Sequence, residues 1–375
     1  ARWARWSQSY TRLWQELLFR FLRQPLYLVM LELVAMFVGL WYLNQTLNPP
    51  ILARTEPAAY VACEKWIYVI SKASKEVITR IPAPDPVRSL AATPDGKKLL
   101  VATDRFLQFY NTKSNRRLAE LPIDQDCTRI EMDPGGRWCA LLHTRPGQVS
   151  LVQLDPEPLP EQSERRLKRK DTLIALLPAG RNAQGLAVDF PPVPDPTAVS
   201  PPREEPLKIY ISTLDANQLY VYQAPPMQLV TRGLVMAPGA LGRPASAPRT
   251  LLVALPREDH VAAYGVPGLQ VQKTLIDLQG KQPMQFLFTG QDCSEWWCLN
   301  RAGTLSRLTP GTLTVTGSTS LGGTATAGCV VKGKTREEIW VTLEKGELVV
   351  VSATGGAVSK RVPIGKEPTS IWMVE

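Results

Sequence analysis

The spacing of apolar and polar positions changes twice along this chain of 375 residues. Up to residue 25, apolar and basic side chains recur with a period near 3.6, which predicts an amphipathic helix. Residues 26–43 are almost uniformly apolar and contain one charged side chain, Glu32. Beyond residue 50, short β-rich runs alternate with turn residues, which predicts many short strands. The pattern therefore predicts an all-β domain preceded by two helices.

The first predicted helix, residues 1–25, carries aromatic side chains on one face and arginines on the other. Such a helix is expected to lie on a membrane, with its rings among the headgroups and its arginines near the phosphates. The residues predicted at the membrane interface are Trp3, Trp6, Tyr10, Trp14 and Phe21, with Trp41 and Tyr42 further along. The residues predicted to contact headgroups and set the orientation are Arg2, Arg5, Arg12, Arg20 and Arg23. Pro25 ends the helix, because proline lacks the N–H group that a helix needs.

Residues 26–44 are predicted to form one transmembrane helix. The apolar run extends about 27 Å as a helix, close to the thickness of a bilayer's hydrocarbon core. A cleaved signal peptide is the alternative, but it would have a shorter apolar core followed by small residues. Five arginines precede the span and few basic residues follow it. The positive-inside rule then predicts a cytoplasmic N-terminus and a periplasmic main domain at a bacterial inner membrane.

Glu32 lies within the apolar run, where a carboxyl group is costly. We expect it to contact a neighbouring helix of a partner protein. A proton-transfer or ligand role is the alternative, although the segment holds no second ionisable group to pair with it. The run also lacks histidine, so a haem or chlorophyll site within this helix is not expected.

Self-similarity in the remaining sequence predicts a repeat architecture. Residues 88–110 and 128–153 share the order strand, turn, strand, short loop, strand. Their turns are Thr93-Pro94-Asp95-Gly96 and Asp133-Pro134-Gly135-Gly136, in which proline presets φ and glycine accepts a positive φ. Weaker copies follow along the chain. A repeat of about forty residues with four strands is typical of a β-propeller blade.

On these repeats the chain resembles the YVTN/WD40-like β-propellers, which are common among bacterial extracytoplasmic proteins. Counting the units favours a seven-bladed ring over residues 57–375, joined to the anchor by a linker at residues 45–56. The units are expected to begin near residues 57, 87, 127, 184, 240, 283 and 324. The first unit lacks an inner strand, so we expect residues 369–374 to complete it and close the ring. Six or eight blades, or two β-sandwiches, are the alternatives.

Tryptophan and cysteine positions suggest how the strands pack. Trp296 and Trp297 are adjacent, so they should point to opposite faces of one strand and each should contact a neighbouring blade. The six cysteines permit up to three disulfides, and Cys293 and Cys298 are near enough in sequence for a local bridge. Cys63 and Cys329 are instead expected to be small buried side chains.

The composition gives little indication of catalysis. The net charge of +9 comes without the dense basic stripe of a nucleic-acid-binding protein. The two histidines, His143 and His260, cannot build a multi-histidine metal site, and no nucleophile, zinc-protease or phosphate-binding motif is present. We expect His143 in the core or at a blade edge, and His260 in a surface loop. We therefore expect no catalytic residue, no cofactor and no resident metal.

Two insertions interrupt the repeats, a highly charged one at residues 155–171 and a proline-rich one at residues 190–206. Their composition is typical of solvated loops, and binding to a neighbouring protein is the alternative. The residues considered for partner binding are Arg165, Arg166, Lys168, Pro191, Pro192, Pro201 and Pro202.

These patterns favour a non-enzymatic, membrane-anchored β-propeller that acts as an accessory or scaffolding subunit of a larger membrane complex. Its partners would be integral membrane subunits and lipids, with no nucleic acid. A photosynthetic reaction-centre or respiratory assembly is suggested by analogy of architecture alone. The alternatives are an extracytoplasmic propeller enzyme similar to lactonases, and an envelope assembly factor that binds unfolded strands at a sheet edge.

Overall fold

The computed structural model divides the chain into two compact units, Ala1–Pro50 and Ile51–Glu375. The residues that it describes are 26–47, 51–124, 126–154, 172–189, 206–224, 228–278, 281–290, 293–333 and 336–375. The surface helix predicted at residues 1–25 lies outside the described residues, and so do nearly all residues of the two insertions.

The first unit contains a helix, α1 (Leu26–Leu47). This agrees with the helix predicted over residues 26–44 and continues three residues further. Within the described part of the chain, no helix proves long and apolar enough to cross a membrane. The transmembrane part of the prediction is therefore not supported by the structure.

The second unit consists of seven four-stranded antiparallel sheets, which confirms the predicted seven-bladed β-propeller. The strands are β1 (Ala58–Cys63), β2 (Trp66–Ser71), β3 (Val77–Pro82), β4 (Ser89–Ala92), β5 (Lys98–Ala102), β6 (Phe106–Asn111), β7 (Arg117–Pro122), β8 (Cys127–Met132), β9 (Trp138–His143), β10 (Gln148–Gln153), β11 (Thr172–Pro178), β12 (Ala183–Asp189), β13 (Leu207–Thr213), β14 (Gln218–Ala224), β15 (Gln228–Leu234), β16 (Leu241–Gly242), β17 (Thr250–Leu255), β18 (His260–Gly265), β19 (Gln270–Asp277), β20 (Pro283–Thr289), β21 (Glu295–Asn300), β22 (Thr304–Leu308), β23 (Val315–Ser320), β24 (Ala325–Val331), β25 (Glu338–Leu343), β26 (Glu347–Ser352), β27 (Val358–Pro363) and β28 (Pro368–Val374). Blade 1 has the strand order β28-β1-β2-β3, and blades 2 to 7 follow with four consecutive strands each.

The innermost strand of every blade contacts the innermost strands of both neighbouring blades, so the ring is closed. These innermost strands are β28, β4, β8, β12, β16, β20 and β24. In blades 2 to 7 they begin within two residues of the predicted starts. β28 pairs with β1 so that Ala58 lies opposite Val374. The last strand of the chain therefore completes the first blade, as the sequence pattern predicts.

Burial depends on the position of a strand within its blade. The second strands are buried along nearly their whole length, as in β5 and β25, because neighbouring blades cover both of their faces. Trp296 and Trp297 are each only 2 % exposed. Trp296 packs into the core between blades 5 and 6, and Trp297 packs into the core between blades 6 and 7. The prediction that they point to opposite faces is confirmed.

The turn at Asp133 shows why the repeated Pro/Asp/Gly sequences form tight connections. Gly136 has a φ of +68°, a conformation that glycine adopts without steric cost. The buried carboxylate of Asp133 accepts hydrogen bonds from the N–H groups of Gly135 and Arg137, both at 3.1 Å. The corresponding Gly96 in blade 2 has a φ of +66°.

The connections between strands lie on two opposite faces of the ring. The fourth strand of each blade ends on the face where its first strand began, so every blade starts on the same face. Residues Ile51–Pro57 lead into β1 on the other face, where Ala58 pairs with Val374. The face on which β1 begins also holds the turns after the first and third strands of every blade, and we call it the proximal face. We call the opposite face the distal face. The described residues that flank the insertions, Leu154 and Asp189, lie at proximal ends of strands.

Candidate functional site

A cavity of about 960 Å³ lies among the innermost strands. Its wall includes apolar side chains such as Met284, Phe288 and Trp372. It also holds an ion pair on β8, in which Arg129 Nε lies 2.7 Å from Glu131 Oε1. Because these two charges already compensate each other, the pair adds no net charge to the wall.

Polar groups of the innermost strands join adjacent blades around this cavity. The side-chain amide of Gln285 donates to the carbonyl of Gly328 and accepts from its N–H group, both at 2.9 Å. Ser370 Oγ accepts a hydrogen bond from the N–H group of Leu90 at 3.0 Å. These side chains are already used in holding blades together, so their role in the described structure is architectural.

The two histidines do not line the cavity. His143 is fully buried in blade 3, where its Nε2 lies 2.8 Å from Ser150 Oγ, which confirms the predicted core position. His260 is the first residue of β18 and is half-buried. Its Nδ1 lies 3.7 Å from a carboxylate oxygen of Glu258, which is longer than a hydrogen bond. In the part of the chain that the structure describes, no three His, Cys, Asp or Glu side chains converge as metal ligands.

All six cysteines are described, and each is a free thiol. The predicted local bridge between Cys293 and Cys298 is wrong, because Cys298 is buried in the core between blades 5 and 6 while Cys293 precedes the strand. Cys63 is buried, as predicted, and this burial raises the pKa of its thiol to about 12. Cys329 is only half-buried, so it is less enclosed than predicted.

Residues Ile51–Pro57 are fixed to the proximal face. The N–H group of Arg54 donates to the carbonyl of Lys113 in blade 2 at 2.7 Å. Asn115 Nδ2 donates to the carbonyl of Leu52, also at 2.7 Å. The sequence predicts a linker here, but the backbone polar groups of this segment are satisfied by the ring itself.

The same region ties the two ends of the propeller together. Arg54 Nη1 donates to the carbonyls of the last two residues of the chain at 3.0 and 3.3 Å. The hydroxyl oxygen of Tyr60 lies 2.8 Å from Asn115 Oδ1 and 2.9 Å from the carbonyl oxygen of Thr112. Burial raises the pKa of Tyr60 from 10.0 to about 12, partly offset by the nearby positive charge of Arg54. Tyr60 is therefore a neutral hydrogen-bonding group inside the closing region.

The described turns of the proximal face carry exposed cations that form no ion pair with any described residue. These cations are Lys113, Arg116, Arg249, Lys332 and Arg336. Acidic groups on this face include the exposed Glu76 and the half-buried Glu56, whereas Asp95 pairs with Lys97 at 3.5 Å and the exposed Glu375 pairs with Lys72. On the distal face, exposed acidic and basic residues stand side by side, as in Glu64-Lys65, Arg257-Glu258 and Lys366-Glu367. The proximal face is thus the more positive of the two.

The outer strands of blades 3, 4 and 5 expose most of the large apolar side chains that are exposed on the described part of the propeller, and we call these residues the apolar rim. Its residues are Leu173, Ile174 and Leu176 in β11, Leu229, Val230 and Leu234 in β15, Met236 just after β15, and Val271 in β19. Leu234 is 84 % exposed and Val271 is 66 % exposed. The outer strands of blades 1, 6 and 7 each expose one large apolar residue at 38 to 39 %, and β7 in blade 2 exposes none.

Most of the sequence-predicted site residues lie outside the described residues. These are Arg2, Trp3, Arg5, Trp6, Tyr10, Arg12, Trp14, Arg20, Phe21, Arg23, Arg165, Arg166, Lys168, Pro191, Pro192, Pro201 and Pro202. Trp41 and Tyr42 belong to α1, but their side chains are not among those described. Glu32 is exposed on α1, and its contact with a partner helix stays a prediction.

Sequence patterns alone do not identify the apolar rim. Some signal is present in β11, whose sequence TLIALLP has apolar residues at consecutive positions, in contrast to RLAELP in β7 and VTGSTS in β23. Successive side chains of a strand point to opposite faces, so consecutive apolar residues on an outer strand leave some of them facing solvent. The signal can be recognised only once the outer position of the strand is known.

Comparison with known proteins shows the fold and no family. No family model and no curated sequence matches the chain. A functionally unknown protein from Desulfotomaculum acetoxidans DSM 771 is 14 % identical with a TM-score of 0.67, over 86 % of this chain and 99 % of that one. The RRP9 WD40 repeats are 12 % identical with a TM-score of 0.57, over 76 % and 82 %. The dihydro-heme d1 dehydrogenase NirN, solved in complex with DHE, is 15 % identical with a TM-score of 0.57, over 86 % and 76 %. The chain thus shares the β-propeller fold with these proteins, one of which is a dehydrogenase and one a set of WD40 repeats.

Proposed function

We propose that this chain is a membrane-anchored β-propeller that serves as an accessory, scaffolding subunit of a larger membrane protein complex, without catalytic activity of its own. The observation that carries the proposal is the apolar rim. Large exposed apolar surfaces on a folded protein mark sites of contact with other proteins or membranes. Its restriction to three consecutive blades supports a partner that approaches from one side.

The positions of the two insertions support this side as the partner-binding side. Residues 155–171 connect the third and outer strands of blade 3, and residues 190–206 connect the first two strands of blade 4. The residues considered for partner binding, such as Arg165 and Pro201, are therefore inserted in two of the three blades that carry the apolar rim. A partner docked there could use both the rim and the insertions.

The properties of α1 support membrane attachment. Most of the large apolar side chains described on this helix, including Met30, Leu31 and Phe37, are 52 to 67 % exposed, whereas Leu33 is partly buried. A helix that is apolar on all sides is stable when lipid or another protein surrounds it. The arginine bias of the preceding residues favours a bacterial inner membrane with the propeller in the periplasm. Glu32 would then contact a helix of an integral membrane subunit.

The kind of complex is proposed by analogy of architecture. An anchored propeller without an active site suits an energy-transducing assembly, photosynthetic or respiratory, whose membrane subunits need a rigid extramembrane partner. NirN shares the fold and is a dehydrogenase, so an enzymatic role for this chain is the second candidate. The cavity among the innermost strands would then be the substrate site of this chain. Its wall contains the Arg129–Glu131 ion pair and no histidine.

Purification from native membranes in a mild detergent tests the proposal. The wild-type chain should co-purify with partner subunits in a fixed ratio. Leu176→Glu combined with Leu234→Glu should release these partners, because each change places a charge at the centre of the apolar rim. The matched control combines Val315→Glu with Val358→Glu on outer strands of blades 6 and 7, and it should retain them.

Two results would contradict this function. The first is a wild-type chain that migrates as a monomer with no stoichiometric partner. The second is full release of the chain from membranes by alkaline carbonate, which extracts peripheral proteins. An enzyme would instead show turnover that is lost in Arg129→Ala or Glu131→Ala, and an assembly factor would cross-link to newly made outer-membrane proteins.

A further inference from the structure

We propose that the proximal face of the propeller docks directly on an anionic lipid surface. The inference deepens the proposed function and rests on its membrane attachment. It starts from the exposed cations of the proximal turns, which have no ion-pair partner among the described residues. Each basic residue close to an anionic bilayer is attracted to it, so several together hold a domain against the surface.

The distribution of these cations fits a flat partner. Lys113 and Arg116 lie in blade 2, Arg249 lies in blade 5, and Lys332 and Arg336 lie in blade 7. They are therefore spread around the ring on one face rather than gathered in one pocket. A small anion could contact one of these turns at a time, whereas a planar anionic surface can contact all of them together.

Local contacts keep these cations available. Glu337, the acidic neighbour of Arg336, accepts a hydrogen bond from the N–H group of Gly290 at 2.5 Å. Asp189 pairs with Arg243 at 2.9 Å, so another acidic group on this side of the ring is already neutralised.

Lysine acetylation of the full-length chain bound to preformed vesicles tests this docking. One set of vesicles contains phosphatidylcholine alone, and the other is a mixture of phosphatidylcholine and phosphatidylglycerol. We expect the acetylation rates of Lys113 and Lys332 to be about fivefold lower on the anionic vesicles, because lipid contact shields both amines. Lys65 and Lys366 on the distal face are the internal controls, and their rates should be equal on both kinds of vesicle.

Charge reversal distinguishes docking from a general effect of the lipid. Lys113→Glu, Arg116→Glu and Arg336→Glu together should remove the shielding of Lys332. The matched control, Arg105→Glu, Arg181→Glu and Arg257→Glu on the distal face, should leave it unchanged. Equal shielding in both variants would overturn the inference.

The outcomes also separate this inference from the proposed function. Binding to both kinds of vesicle with no difference at Lys113 or Lys332 overturns docking while membrane attachment through α1 stands. Binding and shielding only on anionic vesicles supports docking and contradicts attachment through α1. Absence of binding to either kind contradicts both.

Discussion

Blades 1 and 2 and blades 3 to 5 belong to one ring, but they differ in whether their outward-facing groups find partners within the chain. Around blades 1 and 2, the polar groups of Leu52, Arg54 and Tyr60 are paired within the chain. On blades 3 to 5, the residues of the apolar rim are left without cover in the described structure. The first region is explained by the closure of the ring itself. The fold does not explain the exposure of the second region, and this exposure is the basis on which we propose that its residues contact a partner.

Removing the closing strand should have the largest effect on stability. Deletion of residues 368–375 removes the inner strand of blade 1 and exposes the edge of β1, so we expect no cooperative unfolding transition in a chemical denaturation series. Because that variant can fail to fold, Ile371→Ala provides a measurable second test, with a loss of about 2–4 kcal/mol in the free energy of unfolding. Val358→Ala on the exposed β27 is the control and should cost less than about 0.5 kcal/mol. A truncated chain that unfolds at the wild-type midpoint would show that β28 is not needed for the stability of the ring.

Tyr60→Phe should have the next largest effect. It leaves Asn115 without its buried hydroxyl partner, and we expect a loss of about 1–3 kcal/mol in the free energy of unfolding at neutral pH. Tyr220→Phe, at a half-buried hydroxyl in blade 4, is the matched control and should lose less. Equal losses in the two variants would show that closure does not depend on the buried tyrosine.

The same tyrosine predicts a dependence on alkaline pH. The folded-state pKa of Tyr60 is raised from 10.0 to about 12, so its stabilising effect is complete below pH 10 and is lost as the pH rises towards 12. The wild-type chain should lose stability over this window more steeply than Tyr60→Phe. Denaturation midpoints measured from pH 8 to 12 would check this expectation, and parallel curves would contradict it.

Arg54→Ala should have a smaller effect, about 1 kcal/mol, because Arg54 is half-buried and bonds to two carbonyls at the end of the chain. Hydrogen exchange at the amides of β28 should become faster in this variant. Lys113→Ala is the control, since its exposed side chain has no described partner. An unchanged exchange rate in Arg54→Ala would mean that the segment does not hold the closing strand.

The smallest effect on stability is expected at the apolar rim. Leu234→Glu should change the free energy of unfolding by less than about 0.5 kcal/mol, because the side chain is already 84 % exposed. Partner binding should nevertheless be lost, as described for the double variant. A loss of several kcal/mol in the isolated chain would instead show that the rim is covered within the chain, and the difference between the two regions would disappear.

The positions of the blades could be predicted from sequence, because the alternation of side chains and the Pro/Asp/Gly turns are local features. The closing pair of β1 and β28 could also be predicted, since the first unit lacks an inner strand and the last strand has no unit. The apolar rim could not, because strand periodicity does not reveal whether a neighbouring blade covers a given face. The local bridge expected at Cys293 fails for a similar reason, since sequence proximity does not report that Cys298 points into the core.

The contacts of residues Ile51–Pro57 with the ring could not be predicted from the sequence either. Their composition resembles that of a linker, but two of their backbone groups bond to a turn about sixty residues later, and the side chain of Arg54 bonds to the last two residues of the chain. Such pairings depend on the closure of the ring, which brings distant parts of the chain together. The candidate contacts on the proximal face are consequences of this arrangement and become visible only in three dimensions.

The pairing of β1 with β28 also determines when the fold can be completed during synthesis of the protein. A ribosome makes β1 long before β28, so the first blade stays incomplete until β28 has been translated. During that interval the edge of β1 can pair with other chains, and nascent molecules need protection from aggregation. A nonsense mutation upstream of the codon for Pro368 should therefore yield a polypeptide for proteolysis rather than a shortened chain that still folds.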